Sequence, residues 1–176
     1  MHIEETSLPG VKVYTPTKFE DDRGFFFESF NQKHFDGYSF VQDNHSWSFK
    51  GVVRGLHYQL VKPQGKLVRV ISGAIFDVAV DVRKSSPNFG KWFAVELSAD
   101  NAKQLWIPPG FAHGFMALED NTQVLYKTTD YWFKDYERSI RWNDPALNIE
   151  WPSQGMAKLS LKDSEAPALQ TAELFE

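Results

Sequence analysis

The chain has 176 residues, a net charge of −4 and no cysteine. That length suits one domain. The missing cysteines exclude disulfides, thiolate metal sites and a cysteine nucleophile, and the acidic balance leaves no basic footprint for nucleic acid.

Residues 1–5 (MHIEE) have neither a basic n-region nor an apolar h-region, so no signal peptide is expected there. No run approaches the roughly 18 apolar residues of a membrane span. With the absent cysteines, this points to a cytoplasmic protein. Aromatics make up 15% of the chain, including 15 Phe and 6 Trp. They favour strands and can also line a pocket.

In chain order, the first polar island is Asp21-Asp22-Arg23-Gly24, followed by Phe25, Phe26, Phe27 and Glu28. By itself it reads as a turn carrying a surface arginine. Residues 31–35 read as one or two helical turns. Gln42, Asp43, Asn44, His45 and Ser46 form a run of hydrogen-bonding side chains.

Residues 51–60 (GVVRGLHYQL) carry Arg54, His57 and Gln59 among apolar residues. Arg54 and His57 are three apart, so a regular strand puts them on opposite faces. Gly55 between them marks a candidate bulge. A lone strand histidine is by default a hydrogen-bonded core residue. Arg54 and Gln59 beside it leave the core and site readings level.

Residues 74–82 alternate, with Phe76, Val78, Val80 and Val82 on one face and Asp77 and Asp81 on the other. Residues 91–98 set Phe93, Val95 and Leu97 against Trp92, Ala94 and Glu96. Residues 122–130 set Gln123, Leu125 and Lys127 against Val124 and Tyr126. Strict alternation predicts strands with two environments. The turn signals between them (KPQG, SSPNFG, PPG, EDN) predict an all-β sandwich or small barrel. Residues 166–174 read as a short C-terminal helix.

Residues 106–118 (WIPPGFAHGFMAL) place His113 in a Gly- and aromatic-rich setting. Pro-x-Gly-x-x-His resembles the second half of the cupin barrel signature. In the first half, His57-Tyr58-Gln59 stands where metal-binding cupins carry His-x-His, and no glutamate follows at short range. Two histidines make a poor metal site, so the expected barrel carries no metal. Arg23, Arg54, Lys66 and Lys162 each stand beside apolar strand residues, and converging they would suit phosphate.

Taken in order, DDRGFFFESF, FVQDNHS, VVRGLHYQ, QGKLVRV, FDVAVDVRKSSPNFG, QLWIPPGFAHGF, VLYKTTDYW, SIRWNDPALNIEWP and LSLKD closely resemble the dTDP-4-dehydrorhamnose 3,5-epimerase family over nearly the whole chain. The resemblance implies a single metal-free cupin (double-stranded β-helix, jelly-roll) domain with short peripheral helices. It implies no cofactor, a dTDP-linked nucleotide sugar as substrate, and a homodimer. By the same resemblance His57 is the catalytic base, Asp163 orients it and Tyr126 is the opposing acid. Substrate contacts fall on Arg23, Glu28, Gln42, Asp43, Asn44, Arg54, Lys66, His113, Glu137 and Lys162. Trp132 stands where the family often places a tyrosine against the thymine ring, and it stacks at least as well.

The implied reaction inverts the two carbons flanking a C4 ketone. It moves no electrons overall, so it needs no nicotinamide, and the chain has no GxGxxG. Mono-epimerases and a 3,4-ketoisomerase on the same fold are rival readings. So are a metal-dependent cupin oxygenase and a non-catalytic sugar-binding cupin.

Overall fold

The alternating segments pair into antiparallel sheets. The structure is a computed structural model describing residues 1–152 and 154–176. Its strands are β1 (His2–Glu5), β2 (Lys12–Thr15), β3 (Phe19–Asp21), β4 (Gly24–Phe26), β5 (Gln42–Ser48), β6 (Val53–Gln59), β7 (Lys66–Ser72), β8 (Ala74–Asp81), β9 (Trp92–Ser98), β10 (Gln104–Ile107), β11 (Phe111–Ala117), β12 (Thr122–Thr128) and β13 (Glu137–Ser139). One sheet has the order β1-β2-β10-β7-β12-β5 and a second the order β13-β6-β11-β8-β9; β3 and β4 form a separate hairpin.

The two larger sheets face each other as a cupin jelly roll. Between them lie Val13, Val68, Val70, Leu105 and Val124 from the first sheet and Ile75, Ala79, Leu97, Phe111 and Phe115 from the second. Burying each such side chain stabilises the fold by about 2 kcal/mol. The alternating residues of the second sheet point outward but do not meet solvent. Val53, Tyr58, Val78, Val80, Ala112 and Met116 pack under Ile140, Trp142, Leu147, Ile149, Trp151, Leu169 and Leu174 of the C-terminal segment. Asp77 and Asp81 share the inner face with Ile75 and Ala79, so they are fully buried rather than solvated.

The expected turns at residues 31–35 are a short 3₁₀ helix, Gln32–His34, capped by Asn31. The expected helix at residues 166–174 is absent. The one α-helical turn near that end, α1, is Leu161–Ser164, and residues 166–174 are turns and extended chain. Pro167 cannot donate to a helix. Tertiary bonds take up the backbone there: Arg141 N–H donates to Pro167 O, and Leu169 N–H donates to the Asp144 carboxylate at 2.7 Å.

Candidate active site

At one end of the barrel the interior face changes from apolar to polar. A cavity of about 480 Å³ opens there, lined by Arg54, His57, Lys66, His113, Tyr126, Lys162 and Asp163, with Ser46, Lys158 and Ser160 beside them. An adjoining cavity of about 280 Å³ shares His57, Lys66 and Tyr126 and extends to Gln42, Asn44, Trp132 and Glu137.

His57 on β6 and Tyr126 on β12 come from the two facing sheets. His57 Nε2–H donates to Asp163 Oδ1 at 2.5 Å, which leaves Nδ1 as the ring nitrogen free to take a proton. Asp163 is held from below by its own helix cap. Its backbone N–H donates to Ser160 Oγ at 3.1 Å, and that hydroxyl donates to Asp163 Oδ2 at 2.8 Å. Burial pushes the Asp163 carboxyl up, but the His57 bond and charge, with the Ser160 bond, outweigh it and hold the group below the usual carboxylate range.

His113 on β11 is the cross-strand partner of His57. Its Nε2–H donates to Asp77 Oδ1 at 2.6 Å. Burial keeps its pKa below the ordinary histidine value despite Asp77. Lys66 reaches the His57 carbonyl at 3.4 Å, and burial lowers its pKa to about 8 against the opposing pull of Glu137. Burial raises the Tyr126 phenol above its usual value. Glu137 on β13 pairs with Lys162 at 2.6 Å.

Most of the expected residues therefore meet, and three do not. Asp43 points away, because on β5 Gln42 and Asn44 face inward and the residue between them faces out; it pairs with Lys127 at 2.8 Å. Arg23 sits on the β3–β4 hairpin, outside the cavity, with its side chain 85% exposed and paired with Asp21. Glu28 lies just beyond that hairpin and accepts from Asn31 at 3.0 Å.

Sequence reasoning missed Asp77, Ser160 and Lys158. Asp77 was visible as an acid within an apolar strand, but alternation does not say which face is interior. Among the described residues no group of three or more His, Asp or Glu side chains is gathered as a metal would require.

Comparison with known proteins identifies the family. Residues 5–171 match the model of a family described as dTDP-4-dehydrorhamnose 3,5-epimerase. The enzymes of that name from Pseudomonas aeruginosa and Shigella flexneri are 53% and 54% identical, with 99% of each chain covered. A crystal structure of dTDP-6-deoxy-D-glucose-3,5-epimerase from Legionella pneumophila, in complex with dTDP-4-keto-L-rhamnose, superposes with a TM-score of 0.96 at 46% identity, covering 99% of this chain and 97% of that one. A family match over residues 5–171 and identity of this extent over both chains make the chain a member of the dTDP-4-dehydrorhamnose 3,5-epimerase family.

Proposed function

We propose that His57 is the proton-abstracting base of the family's reaction, the inversion of C3 and C5 of dTDP-4-dehydro-6-deoxy-D-glucose to give dTDP-4-dehydro-L-rhamnose. The observation that carries this is His57 of one sheet, bonded to Asp163 of α1, in one cavity with Tyr126 of the other sheet.

In each inversion His57 takes the proton α to the C4 ketone. The bonding pair moves into the ring and the carbonyl becomes an enolate. Lys66, still largely protonated at neutral pH with a pKa of about 8, stabilises that oxygen. Tyr126, which holds its proton firmly, returns one from the opposite face. Asp163 keeps the imidazole in one tautomer and stabilises the imidazolium. No electrons are exchanged, so the step needs no redox cofactor. Arg54 and Lys162 line the cavity and suit the diphosphate.

The working form is a homodimer. The β3–β4 hairpin exposes Phe19, Phe25 and Phe26 at 65%, 60% and 71%, and such a patch marks an interface. A second copy seated there would bring Arg23 and Glu28 to its own cavity, which accounts for their separation from the site within one chain. Among the described residues no helix is long and apolar enough to cross a membrane, and a nucleotide-sugar substrate is in keeping with a cytoplasmic enzyme.

Solvent-deuterium exchange tests the reading. Wild-type protein should wash deuterium into both C3 and C5 of the substrate. Exchange at one carbon would make it a mono-epimerase, and exchange at neither would overturn the assignment of His57.

A further inference from the structure

Trp132 is half-exposed on the rim of the cavity, with little packing to hold it. Its backbone is nevertheless tied at every step. Gln64 Nε2–H donates to Asp130 O at 2.8 Å. Gln59 Nε2–H donates to Tyr131 O at 3.0 Å, and its Oε1 accepts from Phe133 N–H at 2.8 Å. Gln42 Oε1 accepts from Trp132 N–H at 3.1 Å. Three glutamine side chains thus hold four successive residues.

Gln59 is the centre of this clasp. It is 3% exposed, and its second N–H donates to Lys62 O at 2.6 Å, so both donors and the acceptor are engaged. Its position, two residues after His57, ties the loop to the strand that carries the base. Primary amides do this without adding charge beside a site suited to phosphates.

We propose that Gln59 is a positioning residue that pre-organises Trp132 as a stacking platform for the nucleobase. This rests on the nucleotide-sugar reading above. A loop already ordered in the free protein avoids the entropic cost of ordering on binding. Gln59 touches no substrate and acts only through Trp132. Gln42, which accepts from Trp132 N–H on Oε1 and donates through Nε2 to Asn44 at 2.9 Å, belongs to the same device and keeps a second N–H and a lone pair for a ligand.

The test is a double-mutant cycle read by calorimetric dTDP binding and steady-state kinetics. Gln59→Leu and Trp132→Ala should each weaken dTDP about tenfold and raise KM far more than they lower kcat. The double variant should bind within about twofold of Trp132→Ala, because residues acting as one unit are not additive. Inorganic pyrophosphate, which has no ring to stack, should bind Gln59→Leu and wild type alike.

A double variant weakened about a hundredfold, or a folded Gln59→Leu that binds dTDP normally, overturns the proposal. Should Gln59→Leu fail to fold, Gln64→Ala removes one tie; it should weaken dTDP about threefold in the wild-type background and not at all beside Trp132→Ala, and equal losses in both backgrounds overturn the proposal. Wild-type protein that turns over substrate while these variants behave additively sinks the clasp alone. Wild-type protein that binds no dTDP sinks the nucleotide-sugar reading and the clasp with it.

Discussion

Arg54 and His57 line the same cavity although they lie three residues apart on one strand. The pairing of β6 with β11 shifts register between His57–His113 and Arg54–Phe115, and Gly55 sits at the shift with φ +131. A Cβ there would stand 2.5 Å from Gly114 Cα. Gly55→Ala is therefore strained in conformation and in space. It should destabilise the protein by about 3 kcal/mol, measured by urea unfolding, and should lower activity with it.

His57→Ala should abolish turnover while dTDP still binds, since the ring is proposed to act on the sugar carbons. Asp163→Asn should keep the fold and lower kcat by roughly 10²–10⁴-fold, the range for lost acid–base function. Normal turnover in Asp163→Asn would remove the carboxylate from the mechanism.

Ser160 offers a milder probe of the same pair. Ser160→Ala removes the cap of α1 and the bond to Asp163, and should cost about 1 kcal/mol of stability. The kcat should fall roughly tenfold, because a small misplacement of a catalytic group is expensive. Thermal unfolding and steady-state kinetics separate the two effects.

Lys66 sets an alkaline limit. As pH rises through about 8 its ammonium loses the proton, and with it the proposed stabilisation of the enolate oxygen, so kcat should fall on that side. Tyr126, raised by burial, is still protonated there. Lys66→Arg keeps its charge to above pH 12 and should move the alkaline limb upward in a pH–rate profile. Stability runs the other way. The unfolded lysine titrates near 10.4, so between about 8 and 10.4 the unfolded chain binds more protons and wild-type stability rises with pH. Lys66→Met should flatten that rise in denaturant melts.

Mixing subunits tests the hairpin. Arg23→Ala and His57→Ala should each be nearly inactive alone. Refolded together in equal amounts, half the dimers are mixed, and each has one intact site if Arg23 serves the partner. About a quarter of wild-type activity should return. No recovery would confine Arg23 to its own chain.

Much of the fold was legible from alternation: β8, β9 and β12 follow the predicted faces, and the bulge at Gly55 was marked by a glycine between two polar residues. Alternation says nothing of which face is inside, so Asp77 was seen but its burial against His113 was not. Gln59 was noted as a polar neighbour of His57 and as a residue unsuited to a metal, not as a tie to a distant loop. Its work depends on backbone atoms of residues 131 and 133, more than seventy positions away, and no local pattern records them. The substrate-contact roles of Arg23, Glu28 and Asp43 came from family resemblance, which carries a role without saying which face delivers it. The C-terminal helix failed because burial of Ala166, Leu169 and Leu174 outweighed local propensity.

His57 and Asp163 are 106 positions apart, and Asp163 rides on the segment that sheathes the outer face of the second sheet. During synthesis β6, β8, β9 and β11 leave the ribosome before that segment does. A nascent chain can close its barrel with the sheet's outer face still bare, sticky and without its dyad. Chaperone capture should peak in that interval, and the same late step that hides the apolar surface also brings Asp163 to His57.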